Sequence, residues 1–272
     1  RLFNPLSSDL DVMRQTLLFG GLEAIAYNLN RRITNLRFYE LGNCYFYSAD
    51  KAKKDTLDKY SEEQHLALFI IGSKYESNWI MKEEKSSYYQ LKSYVENIFT
   101  RLGYILDDFK IDSVRNKSDI YIDGLSYSRN NDIIVEFGII LNSLVMDFGI
   151  KENVFYCDIY WDNVIKNLNI QNVEFSKLPK YPEVRRDLSM LLNNSITFDQ
   201  IKKLAFKAEN YFLKRINLFD VYTGDKIDKS KKSYAVSFIL QDLKKTLTDK
   251  QIDVIMNNIA SVFTKELGAE IR

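Results

Sequence analysis

Arg185, Asp187 and Ser189 alternate with apolar residues in the segment YPEVRRDLSMLL. A period of two places these three side chains on one face of a β-strand and the apolar residues on the other. A guanidinium on an open face can bind a phosphate, or it can pair with a carboxylate. Both uses of Arg185 stay open, with Asp220 as the expected carboxylate. If the alternation were shifted by one residue, Arg186 would take its place.

Two later strand-like segments add an aromatic ring and small residues to the same face. Tyr222 beside Ser237 and Arg185 leaves room for an unpaired base to stack, although Tyr222 could instead belong to a core. Lys231, Lys232 and the last residue, Arg272, could meet a phosphate backbone, or the lysines could simply be solvated. The candidate nucleic-acid contacts are Arg185, Arg186, Asp220, Tyr222, Lys231, Lys232, Ser237 and Arg272.

The glycine and histidine content excludes several kinds of catalytic site. None of the ten glycines fits GxGxxG or GxxxxGK, so phosphate-binding loops of those two types are excluded. His65 is the only histidine, which removes multi-histidine metal sites, and we expect it to pack at the head of a strand. We therefore predict no catalytic residue and no metal ligand.

Two helices with the same start signal organise residues 181–272. Thr197 with Gln200, and Thr248 with Gln251, have the spacing of capping boxes, and Gly268 is placed to end the second helix. Strand-like segments precede and follow each helix, and the turn-rich TGDKIDKSKK joins the middle two into a hairpin. The order βαββαβ predicts a ferredoxin-like split βαβ domain, with both helices on one sheet face.

The preceding residues predict an antiparallel sheet with flanking helices. Apolar spacing predicts a helix from Thr16 to about Asn30, and the Gly20–Gly21 pair in it costs about 1 kcal/mol per glycine against alanine. Close approach of another helix would justify that cost. Strands are predicted over residues 36–47 and 65–72 and, in short runs, over 105–160, with a helix near 88–102 between them.

Length and composition allow two folded domains. The chain has 272 residues, 46% of them hydrophobic, and no apolar run approaches the ~18 residues of a membrane span. The segment RLFNPLSSD has neither an initiator Met nor the apolar stretch of a signal peptide, so we expect a piece of a longer, cytoplasmic protein. Cys44 and Cys157 match no CxxC pattern, and we expect two reduced thiols.

Charge is unevenly distributed along the chain. Residues 177–272 carry 18 Lys and Arg against 12 Asp and Glu, a net charge of +6, whereas the remainder has a net charge of −5. We expect a first domain over residues 1–175 and a second over 176–272, joined by a connection within 162–180. The basic second domain is the better candidate for an RNA-binding module.

Ten short motifs resemble one family. YPEVRRDLSMLL, LFDVYTGDKI, KKSYAVSFIL, KTLTD and ELGAEIR resemble, in order and spacing, the anticodon-binding domain of the bacterial phenylalanyl-tRNA synthetase beta chain. NPLSS, MRQTLL, NLNR, YELGNCYF and the stretch from Tyr89 to Lys92 resemble the catalytic-like core of the same chain. One departure is visible, because Asp123 to Ser126 stands where relatives carry a His-Pro-Gly stretch, so the resemblance assigns no role to that loop.

The resemblance implies a fold, a set of partners and a separate role for each domain. It implies an α+β chain, with a class II synthetase-like core that has lost catalysis and packs against the alpha chain in a two-alpha, two-beta assembly. Gly20, Gly21 and Leu22 would lie at that interface. The second domain would bind the anticodon arm of phenylalanine tRNA, with no membrane partner and no cofactor in this part, while ATP and magnesium would serve the holoenzyme. The alternative is a stand-alone α/β enzyme or small-molecule sensor with a ferredoxin-like regulatory domain, which the glycine and histidine content disfavours.

Overall fold

The computed structural model describes residues 4, 11–48, 57–115, 118–168, 178–224 and 227–272. The chain divides into two compact units, Arg1–Val173 and Glu174–Arg272. Among the helices of the described residues, none combines the length and the apolar character needed to cross a membrane.

An antiparallel sheet of six strands forms the centre of the first unit. Its strands are β1 (Leu36–Tyr47), β2 (Tyr60–Ile71), β5 (Lys110–Ser113), β6 (Tyr121–Arg129), β7 (Asp132–Ile140) and β8 (Phe155–Tyr160). They are hydrogen-bonded in the order β1-β2-β8-β7-β6-β5. A separate hairpin pairs β3 (Ser73–Tyr75) with β4 (Glu84–Lys85).

Helices cover both faces of this sheet. The helices are α1 (Leu18–Leu29), α2 (Tyr88–Arg101), α3 (Asn142–Asp147) and α4 (Trp161–Asn167). Phe69 packs in the core formed with α1 and α3, while its neighbour Ile70 packs in the core formed with α2 and α4. Successive residues of a strand point to opposite faces, so the two cores lie on opposite sides of the sheet. Helices α1 and α2 confirm the two helices expected near residues 16–30 and 88–102.

Two segments differ from the sequence-based expectation. The predicted connection over residues 162–180 begins with helix α4, whose Asn167 donates to Asp132 Oδ2 at 2.8 Å, and residues 169–177 lie outside the described residues. Asp123 to Ser126 is not a loop but part of β6. Gly124 lies opposite Gly138 of β7, and a Cβ on Gly124 would overlap the carbonyl oxygen of Phe137, so the strands approach closely there.

The second unit has the split βαβ order that the sequence predicts. Its elements are β9 (Val184–Asn193), α5 (Phe198–Ala208), β10 (Leu213–Tyr222), β11 (Lys231–Leu240), α6 (Asp249–Leu267) and β12 (Glu270–Ile271). The four strands are antiparallel, in the order β10-β11-β9-β12. This order places the first and third strands in the centre and confirms the ferredoxin-like fold.

The predicted helix signals fix both helices of this unit. Thr197 with Gln200, and Thr248 with Gln251, form capping boxes, and Gly268 ends α6 in the left-handed conformation with φ 62°. The apolar faces of α5 and α6 pack with Met190, Phe238 and the other core residues of the sheet. Both helices therefore cover one sheet face and leave the other open.

Candidate nucleic-acid interface

The strand register defines which side chains share the open face of the second unit. Cross-strand partners lie on the same face, so three strands present a row at each level. Each row has one residue from β10, one from β11 and one from β9, in that order. The four rows are Tyr222–Ser233–Leu191, Asp220–Ala235–Ser189, Asn217–Ser237–Asp187 and Arg215–Ile239–Arg185. We call this surface the open face.

The structure separates the two adjacent arginines. Arg185 is on the open face, whereas Arg186 pairs across the sheet with the buried core residue Phe238 and therefore points to the helix side. There Arg186 Nη2 donates to Asp249 Oδ1 at 3.2 Å, at the first turn of α6. A negative charge in the first turn of a helix is favourable, and Arg186 is placed to hold it there. Arg186 thus has a structural partner away from the open face.

Arg185 is held by Asp187 rather than by Asp220. Its Nε and Nη2 donate to the two carboxylate oxygens of Asp187 at 2.8 and 3.1 Å. These hydrogen bonds raise the pKa of Arg185 above its usual value, so the guanidinium stays charged. Its carbon Cζ also lies 5.2 Å from the ring centroid of Phe219, a distance typical of a cation–π contact.

Phe219 belongs to this surface because of a β-bulge, which residue alternation did not predict. Pairing passes from Leu218–Val236 directly to Asp220–Ala235, so Phe219 has no partner on β11. Strict alternation would place Leu218 and Asp220 on one face, but the extra residue puts Leu218 in the core and Asp220 on the open face. The sequence did hold one sign of the bulge. Apolar Leu218 and polar Asp220 are two residues apart, so regular alternation would put them on the same sheet face.

Tyr222 is partly exposed, with 41% of its surface accessible, and is not a core residue. Gly224 lies against it, since a Cβ at position 224 would overlap the Tyr222 hydroxyl and ring. The glycine therefore allows the ring to turn back over the strand end. Tyr222 and Phe219 are thus two partly exposed aromatic rings of β10 on this surface.

The two candidate lysines lie on opposite faces of β11. Lys231 is on the open face and forms an ion pair with Glu270 of β12, which lowers the pKa of that carboxyl. Lys232 Nζ donates to the carbonyl of Asn194 at 3.0 Å and lies 4.7 Å from the ring centroid of Tyr234. Because Tyr234 is in the core with the helices, Lys232 does not reach the open face.

The remaining candidates occupy the centre and the edge of the open face. Ser237 is buried, and its hydroxyl donates to the carbonyl of Asn217 at 3.4 Å. Asp220 is exposed. The backbone N–H of Arg272 donates to the carbonyl of Ser189 at 2.9 Å, which carries β12 pairing to the last residue. Ser237 therefore shapes the floor, while Asp220 and Arg272 are accessible.

In the first unit, only Gly21 of the α1 glycine pair has an internal packing role. A Cβ on Gly21 would overlap the ring of Phe69 from β2, and Leu22 is fully buried in the same core. The close approach expected from another helix is thus made by an aromatic ring of the unit's own sheet. Gly20 is exposed with nothing near its Cβ position, and it opens onto a groove of about 330 Å³ beside Tyr39.

His65 and the two cysteines are buried in the first unit. His65 Nδ1 lies 2.7 Å from Asp158 Oδ1, which agrees with the expected packing role. Burial lowers the pKa of His65, but the hydrogen bond and charge of Asp158, together with Glu63, outweigh it and leave the pKa raised. Cys44 and Cys157 are free thiols as expected, and burial raises the pKa of Cys44 to about 11.

Two family models match the chain. The model described as phenylalanyl tRNA synthetase beta chain CLM domain matches residues 1–161. The model described as ferredoxin-fold anticodon binding domain matches residues 179–272.

Curated relatives match along the whole chain. The phenylalanine–tRNA ligase beta subunit of Bacteroides thetaiotaomicron is 42% identical over 273 residues, which cover 100% of this chain and 33% of that protein. The corresponding subunit of Porphyromonas gingivalis is 37% identical, with the same two shares. The chain thus spans about a third of the length of these relatives. A pyrrolysyl tRNA synthetase structure from Desulfitobacterium hafniense aligns with a TM-score of 0.39 and 12% identity over 56% of this chain and 48% of its own. By the family model that covers more than half of its residues, this chain belongs to the phenylalanyl-tRNA synthetase beta chain family.

Proposed function

We propose that this chain is a non-catalytic part of a phenylalanine–tRNA ligase, and that its open face binds the anticodon arm of phenylalanine tRNA. We assign the inactive class II-like core to residues 1–175 and the anticodon-binding domain to residues 176–272. The observation that carries the proposal is the open face itself, because Tyr222, Phe219 and Arg185 lie on the sheet face that α5 and α6 leave uncovered.

In this proposal, RNA binding to the open face has two contributions, which are electrostatic attraction to phosphates and stacking of bases on aromatic rings. The net charge of +6 over residues 177–272 attracts RNA of any sequence. Arg185, Lys231 and Arg272 are the cations proposed to meet phosphates, while Tyr222 and Phe219 offer rings to unpaired bases. Asp220, two residues before Tyr222 in the strand, can accept a hydrogen bond from a base amino group. Charge supplies affinity, and the base contacts supply the choice of tRNA.

We further propose that the first unit packs against the alpha chain through the groove beside α1. Gly20 leaves the groove open, and Tyr39 at its rim is 78% exposed. An exposed aromatic residue beside an open groove is typical of an interface centre. Gly21 and Leu22 form the buried floor and would support the contact rather than make it. In this proposal two alpha and two beta chains assemble, and ATP and magnesium act in the assembled enzyme, with no catalytic residue from this chain.

Binding to a panel of tRNAs tests the RNA proposal. Affinities of the chain for transcripts of phenylalanine tRNA and several other tRNAs are measured over a salt series, for the wild type, Tyr222→Ala and Tyr211→Ala. Tyr211 is the matched control because it is 51% exposed and lies outside the open face, between α5 and β10.

The expected result is a preference for phenylalanine tRNA that Tyr222→Ala removes. If a base stacks on the ring, the substitution costs about 1 to 3 kcal/mol of binding free energy and leaves the salt slope unchanged. Equal affinity for all tRNAs, or equal effects of the two tyrosine substitutions, would overturn the proposal. Melting curves of both variants establish that the fold is retained.

A further inference from the structure

A second pocket lies in the first unit, with lining residues different from those of the groove beside α1. It has a volume of about 740 Å³ and is formed by the start of α2, by β1 and by the β3–β4 hairpin. Its lining includes Arg37, Lys74, Tyr75, Tyr89, Gln90 and Tyr94, together with the carboxylate of Glu84. This volume is within the range of small-ligand sites.

Gln90 is a buried amide with an unpaired atom at this pocket. The residue is 7% exposed, and its Nε2 donates to the Tyr94 hydroxyl at 3.0 Å. Its Oε1 is buried and has no hydrogen-bond partner among the described residues. Turning the amide over would pair the oxygen with Tyr94 and leave the nitrogen unpaired instead. Either orientation leaves one polar atom of this pocket-lining residue without a partner, and buried polar atoms without partners are rare.

Arg37 supplies a fixed positive charge at the same pocket. Its Nη2 donates to the carbonyls of Ser73 and Lys74 at 3.3 and 2.9 Å, and no carboxylate of the described residues forms an ion pair with it. A guanidinium has five N–H donors, so several stay available after these two bonds. Lys74 is already paired with Glu84 at 3.1 Å, which leaves Arg37 as the cation for an anionic ligand.

Three tyrosines line the pocket with accessible rings. Tyr89 is 77% exposed, and Tyr75 and Tyr94 are exposed to a lesser degree. Aromatic rings beside an arginine and an amide suit a ligand that has a flat ring, hydrogen-bonding edges and an anionic group. A nucleotide combines all three.

We propose that this pocket binds an unpaired nucleotide, with the base among the tyrosines and its edge on the Gln90 amide. The phosphate would meet Arg37. The same chemistry can come from a free mononucleotide or from one nucleotide of a single-stranded RNA. The site is separate from the open face and does not rest on the anticodon proposal.

Calorimetric titration of the full chain tests this site with three probes: adenosine, AMP and a single-stranded oligoadenylate. The variants are Tyr89→Ala, Arg37→Gln and Gln90→Leu, with Tyr39→Ala as the matched control, because Tyr39 has nearly the same exposure as Tyr89 and does not line the pocket. Tyr222→Ala is included to separate this site from the open face.

The expected results assign one ligand group to each residue. Tyr89→Ala weakens AMP binding by about tenfold, as for loss of one stacked base. Arg37→Gln weakens binding of AMP but not of adenosine, and Gln90→Leu weakens both while raising the melting temperature. Tyr39→Ala leaves AMP affinity unchanged, and the AMP binding that Tyr89→Ala weakens persists in Tyr222→Ala. AMP binding as tight as the oligonucleotide identifies free nucleotide as the source, whereas binding of the oligonucleotide alone, lost in Tyr89→Ala, identifies RNA.

The proposal is overturned if neither AMP nor the oligonucleotide binds at millimolar concentration. It is also overturned if binding is equally affected by Tyr89→Ala and Tyr39→Ala. Since both tyrosines are exposed, circular dichroism melting curves establish that these variants are folded. Failure here would leave the anticodon proposal intact, because the latter is measured through Tyr222 with tRNA.

Discussion

Both carboxylate oxygens of Asp187 accept hydrogen bonds from one edge of the Arg185 guanidinium, with Nε–Oδ1 and Nη2–Oδ2 distances of 2.8 and 3.1 Å, on a surface proposed to bind a polyanion. The pair is exposed to solvent, so it contributes little to stability. The main effect of the pair is to fix the direction of the Arg185 guanidinium above Phe219. The carboxylate of Asp187 also neutralises the charge of that guanidinium. Asp187 therefore opposes phosphate binding and favours a contact of defined geometry.

Asp187→Asn should strengthen binding of all tRNAs. The substitution removes the negative charge that competes with phosphate for Arg185, so Arg185 should engage a phosphate more completely, and the salt slope should steepen by about 0.7 to 0.9 for each additional phosphate that the protein neutralises. Filter-binding titrations at several salt concentrations measure this change, with Arg185→Ala as the opposite variant. Weaker binding of Asp187→Asn at an unchanged slope would mean that the carboxylate positions Arg185 for a base rather than a phosphate.

Lys231→Ala and Lys232→Ala should have different effects on RNA binding, although the residues are adjacent. Lys231 lies on the open face, so its loss should weaken binding of all tRNAs and make the salt slope shallower by up to about one unit. Lys232 lies beside Tyr234 on the helix side and serves as the control. Equal effects of the two variants would show that the open face does not define the RNA contact.

Gly224→Ala should mimic part of the loss caused by Tyr222→Ala. A Cβ at position 224 would overlap the Tyr222 ring, so the ring must move from its present position. In contrast to Tyr222→Ala, the variant keeps the ring but changes where it lies. Preference for phenylalanine tRNA should fall with the net charge unchanged. A variant that keeps full preference would indicate that the position of the ring does not matter for recognition.

Much of the fold was predictable because its signals are local. The capping boxes at Thr197 and Thr248 and the left-handed Gly268 depend on neighbouring residues alone, and each appears in the structure where its spacing places it. The open face was predictable only in part. The bulge at Phe219 arises from pairing with β11, and the Arg185–Asp187 pair depends on side-chain geometry, so neither follows from residue spacing.

The glycines of α1 are a second example of this limit. Helix propensity assigns the same cost to Gly20 and Gly21, and only the position of the Phe69 ring distinguishes them. The aromatic side chain is 48 residues away in sequence from Gly21, so its contact was not visible before the fold was known. Sequence alone predicted that the pair needs a close neighbour, but not which one.

Gly20→Ala should stabilise the chain, while Gly21→Ala should destabilise it. Position 20 is exposed helix with free space around it, and alanine there is worth about 1 kcal/mol of unfolding free energy. At position 21 the new Cβ must displace Phe69 from the core, at a cost of about 1 to 3 kcal/mol. Thermal unfolding measures both. The same sign for the two variants would contradict this packing.

A larger residue at position 20 tests the alpha-chain proposal. Gly20→Leu should keep the fold, since the position is open, but it should fill the groove beside Tyr39 and weaken co-purification with the alpha chain. Gly20→Ala provides the control for the loss of glycine itself. Unchanged co-purification of a folded Gly20→Leu variant would place the interface elsewhere on the first unit.

His65 should make the first unit less stable as the pH rises. Burial lowers the pKa of His65, but Asp158 and Glu63 outweigh burial and raise it above its ordinary value of 6.5. A raised folded-state pKa means that the stabilisation is fully present below pH 6.5 and is lost as the pH rises through the folded-state value.

Because His65 is the only histidine of the chain, its ring signals can be followed without ambiguity in an NMR titration. The midpoint should lie above 6.5 in the wild type and fall in Asp158→Asn, which keeps the burial but removes the nearer negative charge. A wild-type midpoint at or below 6.5 would mean that burial outweighs the 2.7 Å contact with Asp158.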